Sequence, residues 1–370
     1  MASVPRDLVL VSTPIGYLGS GRGGGVELTL ASLTQGLLAR GHRLTLVAPE
    51  GSSLPAGCDG VALHTVAGGD QPSWQHADAD GPVLIPADAV LPRLWERALA
   101  LGEEADAVLN FSYDWLPLWL TPRVQPRIFH LISMGSVARV MDQLVADLAR
   151  WDQRRLAFHT HRQAADFSLP AAAQVVGNGL DLSRYQFQLE AGGALGWAGR
   201  VAPEKGLEDA AAVAAALQEP LQVWGVVEDP AYAARVERAV PPGTIVWRGF
   251  LPTAELQKEL GRCRALINTP KWNEAYGNVV VEALACGVPV VAYDRGGPGE
   301  LLQNGVTGWL VPPDDRDALL AATRKVDAID RQACRRWVEA HASQAVFAER
   351  VEQWLDLTLA AGDGSISRCP

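Results

Sequence analysis

The sequence predicts an α/β protein of two domains, each organised around a parallel sheet, and three observations carry that expectation. Apolar runs without polar alternation recur at residues 8–12, 43–48, 194–198, 221–227 and 288–293, the pattern of strands covered on both faces. Helical periods stand between them, as at 26–40, 207–217 and 253–261. The chain of 370 residues is longer than one hydrophobic core usually serves.

From the start of the chain, a strand at 8–12 leads into a long connection, TPIGYLGSGRGGG, whose six glycines let backbone approach a ligand closely. A helix at 26–40 ends at Gly41, and a strand follows at 43–48. Gly19, Gly21 and Gly24 satisfy G-x-G-x-x-G, and Glu50 follows the second strand where a dinucleotide site keeps its ribose acid. An NAD-dependent oxidoreductase is therefore one alternative. Against it, Thr13 to Leu18 intervene between the strand and the first glycine, which should sit in the tight turn. Residues 58–92 are rich in Gly, Asp and Pro and predict loops with irregular strands, a common place for a second substrate.

A helix at 95–101, a strand at 107–111, the turn Ser112-Tyr113-Asp114-Trp115 and a strand at 127–132 come next. His130 lies near the carboxyl end of that last strand; a lone histidine in an apolar strand reads first as a satisfied core residue. Helix 141–150 precedes an extended piece at 156–161, where His159 and His161 have no acid or cysteine at ligand spacing and read as structural. The first domain is expected to cover 1–190, with a linker at about 182–193, and the second 191–342.

The second domain opens on strand 194–198 and the loop GRVAPEKG, then an alanine-rich helix at 207–217. Arg200 and Lys205, two cations at a strand's carboxyl end in an acidic chain, suit a diphosphate, since arginine forks onto two oxygens and lysine adds a point charge. After strand 221–227 comes Glu228-Asp229-Pro230, and strand 244–247 leads to the turn holding Phe250 and Leu251. Helix 253–261 and strand 265–267 lead to a polar loop with Glu274. A helix follows, with Asn278 as its expected N-cap, Val279, Val280, Ala283 and Leu284 apolar, and Gly287 as its stop. Glu282 lies about one turn inside that helix, and the amides of Gly277, Asn278 and Val279 favour phosphate. A phosphate cradle with a carboxylate on either side suggests a phosphorylated molecule with sugar hydroxyls at both ends; the plain alternative is two surface acids. Helices run from 316 to 342, a last helix covers 346–359, and the tail 361–370 has a disordered composition.

Bulk properties narrow the partners. The net charge of −10 argues against a general nucleic-acid or anionic-membrane binder, so any phosphate site must be local. The five cysteines are scattered, odd in number and without metal-ligand spacing, which reads as free thiols in a reducing compartment. No run is apolar and long enough to span a bilayer or to act as a signal segment, so a cytoplasmic protein is expected.

The pattern E-A-Y-G-N, then E-A-L-A and G-V-P-V-V, with Gly296-Gly297-Pro298-Gly299-Glu300-Leu301 and Asn304-Gly305-Val306-Thr307-Gly308 downstream, resembles the E-x7-E signature of retaining GT-B glycosyltransferases of family 4. The resemblance implies two Rossmann-like domains facing a central cleft, with the final helix, about 343–360, crossing back to the first. It gives Glu274 the donor sugar, Glu282 the ribose, and Arg200, Lys205 and the amides of Gly277, Asn278 and Val279 the diphosphate. Phe250 and Leu251 fall in the segment that usually faces the base. In the first domain the resemblance sets Gly24, Gly25 and Glu27 on the acceptor-side loop and His130 against the donor hexose. Asp114 stands where many relatives carry a histidine, and Val226 to Pro230 replaces a glycine-containing turn. No metal or other cofactor is expected, because two cations and a helix start neutralise the leaving group. A UDP-sugar epimerase of the same fold is the second alternative. The segments STPIGYLGSGRGGGVELTL, PADAVLPRLWE and TPKWNEAYGNVVVEALACG resemble the pteridine glucosyltransferases, which implies UDP-glucose as donor and tetrahydrobiopterin as acceptor.

Overall fold

The structure, a computed structural model, describes residues 4–20, 24–76 and 79–361. It divides into two compact units, Met1–Gly179 with Gln344–Pro370, and Leu180–Ser343. In the first unit, β1 (Asp7–Val11), β2 (Arg43–Pro49), β3 (Ala62–Val66), β4 (Ala107–Asn110), β5 (Ile128–Ile132) and β6 (Leu156–Phe158) pair in parallel in the order β3-β2-β1-β4-β5-β6. In the second, β7 (Leu195–Ala198), β8 (Leu221–Trp224), β9 (Ile245–Gly249), β10 (Ala265–Asn268), β11 (Val290–Tyr293) and β12 (Gly308–Val311) pair in parallel in the order β12-β11-β10-β7-β8-β9. Counted within its own unit, the second order is the first one again. Each sheet is doubly wound, and its direction of winding reverses between β1 and β4, or between β7 and β10. Loops at the carboxyl edge of such a switch point are where open parallel sheets bind ligands.

The unalternating runs are explained by burial on both faces. Leu8 and Leu10 of β1 enter one core with Leu33, Leu37, Phe347, Val351 and Trp354, while Val9 and Val11 enter another with Leu91, Leu94 and Trp95. In the second unit Leu266, Val290 and Ala292 pack on one face, and Ala265, Ile267, Val291 and Tyr293 on the other. The last helix, Gln344–Ala360, lies against the helix Gly25–Ala39, close enough that a Cβ on Gly36 would fall 2.7 Å from that of Ala348. Buried Glu352 ties the two elements further by accepting from Arg40 and pairing with His42 Nε2 at 2.9 Å.

Several expected boundaries move for local reasons. The strand expected to reach residue 161 stops at Phe158, because Thr160 caps the short helix His161–Ala164 with its hydroxyl 3.1 Å from the Gln163 amide. The strand expected to reach 227 stops at Trp224, where Gly225 turns at φ +139°. The linker expected at 182–193 is packed on the second unit: Gln188 N–H donates to Cys286 O at 3.0 Å and Arg335 Nη1 to Tyr185 O at 2.9 Å, so the division falls at Gly179 rather than at residue 190. The helices Trp115–Leu120 and Pro230–Arg238 were not expected, and residues 316–342 hold two α-helices, Arg316–Thr323 and Arg331–His341, joined by a 3-10 turn. Of the tail, 362–370 lie outside the described residues. No helix among the described residues is long and apolar enough to cross a membrane.

Candidate functional site

At the switch point of the second unit, the loops after β7 and β10 are stitched together by their backbones. Lys271 N–H donates to Glu204 O at 2.8 Å, and Thr269 Oγ1 donates to Gly206 O at 2.7 Å. Gly206 sits at φ +67°, and a Cβ there would lie 1.9 Å from Thr269 O, so glycine is required on both counts. This registers Lys205 against Glu274: its Nζ lies 2.9 and 2.8 Å from the two carboxylate oxygens. The same ammonium stands 4.7 Å from the Trp272 ring centroid, and Trp272 Nε1 donates to Glu274 Oε2 at 3.2 Å. Gly297 N–H donates to Glu274 O at 2.6 Å, and a Cβ on Gly296 would strike Glu274 N and O at 2.5 Å. Burial pushes the Glu274 carboxyl up, but the Lys205 charge, its hydrogen bonds, Trp272 and Arg200 outweigh it, and the group stays ionised below the ordinary range.

The helix beyond, Asn278–Ala285, has Gly277 as its N-cap, at φ +102°, and Asn278 is its first helical residue rather than the cap. That left-handed turn carries no side-chain cap, and Val280 N–H donates back to Gly277 O at 3.0 Å. Glu282 follows one turn in, buried, with Tyr185 Oη donating to its Oε1 at 2.9 Å. Burial lifts the Glu282 carboxyl to about 7, against the lowering effect of that hydrogen bond.

Arg200 is also engaged. Its Nη2 donates to Glu204 Oε1 at 3.0 Å and its Nη1 to the Glu228 carboxylate. The structure therefore joins Arg200, Lys205, Glu274 and the helix start at one strand-end edge, with Glu282 behind them. It adds four residues that sequence reasoning did not assign to the site: Tyr185, Glu204, Glu228 and Trp272. Glu204 and Trp272 were within reach, standing four residues from Arg200 and two from Glu274; Tyr185 had no local signal. Phe250 is exposed just past β9, and Leu251 is half-buried beside it.

In the first unit, Gly24 at φ +58° is the N-cap of the helix Gly25–Ala39, with Gly25 its first residue. Glu27 folds back on the glycine loop, accepting from Gly19 N–H at 2.9 Å and Ser20 Oγ at 3.3 Å; Gly21 lies outside the described residues. Asp114 is buried and caps the helix Trp115–Leu120, accepting from Trp115 N–H at 2.7 Å, and burial lifts its carboxyl to about 7. His130 requires a correction. It is fully buried in mid-strand, with Nδ1 2.9 Å from Asn110 Nδ2 and Nε2 2.7 Å from Thr121 Oγ1. Burial and Arg155 hold it neutral, with a pKa lowered to about 3, and both ring nitrogens are satisfied by its own unit, so it is a core histidine rather than a group presented to a hexose. His159 is likewise buried, its Nδ1 2.7 Å from Gly177 O.

Residues 192–326 match the family described as "Glycosyl transferases group 1". The chain is 34% identical over 136 residues to 2-deoxystreptamine N-acetyl-D-glucosaminyltransferase of Streptomyces fradiae, covering 35% of this chain and 32% of the relative. It is 25% identical over 399 residues to D-inositol 3-phosphate glycosyltransferase of Jonesia denitrificans, covering 91% of each. The chain spans about a third or less of the length of the first curated relatives it matches, 32%, 14% and 12%. Among solved structures, AviGT4, a glycosyltransferase of avilamycin A biosynthesis, superposes with a TM-score of 0.73 at 23% identity over 97% of this chain and 99% of that one. HepE of Anabaena, in complex with UDP-glucose, superposes with a TM-score of 0.71 at 17% identity over 96% of this chain and 100% of that one. The fold is the α/β class of GT-B glycosyltransferases, with two parallel six-stranded sheets.

Proposed function

We propose that this chain is a retaining glycosyltransferase of family 4 that moves glucose from UDP-glucose to a hydroxyl acceptor, with tetrahydrobiopterin as that acceptor. One observation carries the reading: Arg200 and Lys205, the helix start at Gly277 to Val279 and the carboxylates of Glu274 and Glu282 are assembled at the switch point of the unit that matches the glycosyltransferase family. HepE, whose fold this chain shares, binds UDP-glucose, which supports the choice of donor.

In the proposed reaction the bond from the sugar C1 to the β-phosphate oxygen breaks, and the diphosphate gains negative charge as the sugar becomes oxocarbenium-like. Arg200, Lys205 and the first-turn amides stabilise that charge where it develops. The acceptor oxygen bonds to C1 on the face the leaving group vacates, and its proton passes to the departing phosphate oxygen. Glu274 orients the hexose through its hydroxyls, Glu282 holds the ribose, and Phe250 and Leu251 border the base. No protein nucleophile is invoked, and the two cations with the helix start take the charge-neutralising role, so the reaction is proposed without a metal.

A thermal-shift screen with UDP, ADP, GDP and their glucose conjugates, followed by a transfer assay on tetrahydrobiopterin, tests this. Selective stabilisation by UDP-glucose with formation of a glucosylated pterin is expected. Stabilisation without transfer would keep the donor and discard the pterin. Stabilisation by NAD and by no nucleotide sugar would restore the oxidoreductase reading of the loop from Gly19 to Gly25. The relatives above are transferases by name, so the epimerase alternative gains no support from them.

A further inference from the structure

Glu228 stands where the chain departs from the glycine-containing turn of the family it resembles, and the backbone fixes it against Arg200. Val201 N–H donates to Val226 O at 2.9 Å, and the N–H groups of Glu228 and Asp229 return to Val201 O at 3.3 and 3.1 Å. Gly225 permits this approach: a Cβ there would lie 1.8 Å from Gly199 O. Asp229 then caps the next helix through the Tyr232 amide at 2.9 Å, closing the loop on its far side. The side chain of Glu228 is about a third exposed and reaches Arg200 from the loop opposite.

The consequence is a site whose cations are outnumbered. Among the described residues, Arg200 and Lys205 face Glu204, Glu228 and Glu274, two positive groups against three carboxylates. An incoming diphosphate must share Arg200 with these carboxylates or displace one of them. The nucleotide sugar and the released nucleoside diphosphate differ here: loss of the sugar exposes another ionisable oxygen on the terminal phosphate, so the product is the more negative of the two. A fixed carboxylate beside the phosphate position therefore repels the product more than the substrate.

Resting on the glycosyltransferase reading, we propose that Glu228 is an affinity-determining residue that competes with the diphosphate for Arg200 and selectively weakens retention of the nucleoside diphosphate product. Its substitution would then tighten binding. Glu204 remains on Arg200 in a Glu228→Gln variant, so the guanidinium keeps a partner and the exposed position leaves the fold intact.

The experiment is calorimetric titration of the full chain and of Glu228→Gln with UDP, UDP-glucose and inorganic pyrophosphate, at low and high salt, with circular dichroism to check folding. UDP and pyrophosphate are expected to bind the variant about threefold to thirtyfold tighter, UDP-glucose less so, and the gain to shrink as salt screens the charges. The inhibition constant of UDP in the transfer assay should fall by the same factor. Unchanged or weaker UDP binding in the variant, or an equal gain for UDP and UDP-glucose, would overturn the proposal while leaving the donor site standing. If neither folded protein binds UDP or UDP-glucose, the glycosyltransferase reading falls, and this inference with it.

Discussion

The two units wind the same strand order and furnish its switch point in opposite ways. In the second, the loops after β7 and β10 bring charged, partly exposed side chains together: Arg200, Lys205, Glu204, Glu228 and Glu274. In the first, the loops after β1 and β4 bring glycine backbone, the helix-capping Asp114 and, behind them, a neutral His130 sealed between Asn110 and Thr121. A shared topology fixes where two loops meet. The residues on those loops decide whether the meeting place can hold a dense anion or only weakly charged groups.

That contrast can be broken most directly at the cations. Arg200→Ala and Lys205→Ala should each lower kcat with UDP-glucose by about 10²- to 10³-fold, because the charge they stabilise appears in the transition state. Near-normal turnover in both would erase the difference between the units.

Next in size is the acid proposed to hold the ribose. Glu282→Ala should weaken UDP-glucose binding about tenfold by calorimetry, with a smaller effect on kcat, and Tyr185→Phe should weaken it by less, since the carboxylate remains but loses its positioning partner. With Glu282 titrating near 7, donor affinity should rise between pH 6 and pH 8 in the native chain and stay flat in Glu282→Gln. A pH-independent affinity in both would remove Glu282 from the donor contacts.

Stability gives a smaller signal with a definite sign. The Glu282 carboxyl is lifted from 4.5 to about 7 in the folded state, so across that window the folded chain binds more protons than the unfolded one. Its contribution to stability therefore falls as pH rises through the window and stays lowered above it. Glu282→Gln should melt a few degrees higher than the native chain at pH 8 and no higher at pH 4, on a scale of roughly 2–4 °C per kcal/mol. Higher melting at both pH values would point to packing rather than charge.

The smallest expected effect on the donor belongs to His130. His130→Ala should destabilise the chain by about 1–3 kcal/mol, by leaving a cavity in the core and taking one hydrogen bond each from Asn110 and Thr121, which keep Ser112 and Pro117, while the affinity of the folded protein for UDP-glucose is unchanged. Loss of donor affinity without loss of stability would show that His130 serves the donor rather than the core.

Much of this was legible in the sequence because the signals are local. Residues 207–217 and 253–261 form the helices their periodicity predicted, and β1, β2 and β4 to β11 begin within a residue or two of the runs that announced them, whereas β12 had no such run. The positions of Arg200, Lys205 and Glu274 follow from strand-end loops at a switch point. What was not legible depends on partners far along the chain. Tyr185 and Glu282 are 97 residues apart, and Lys205 and Glu274 69, so their pairing depends on strand order. His130 could be recognised as satisfied only once β4 and β5 were known to lie side by side, which puts Asn110 against it. Asn278 looked like a cap because its side chain suits that role, but a left-handed Gly277 had already ended the loop one residue earlier.

The second unit is an insertion: the chain leaves the first at Gly179 and returns at Gln344, and Leu180 N–H donates to Ala342 O at 2.9 Å, so exit and re-entry are neighbours. During synthesis this sets an order of events. The inserted unit has its whole sequence available once residue 343 has emerged, whereas the earlier one waits for Phe347, Val351, Trp354 and Leu355 to finish a core that Leu33 and Leu37 began more than three hundred residues before. A released chain truncated after Ser343 should therefore hold a protease-resistant second unit beside a first one still open to cleavage.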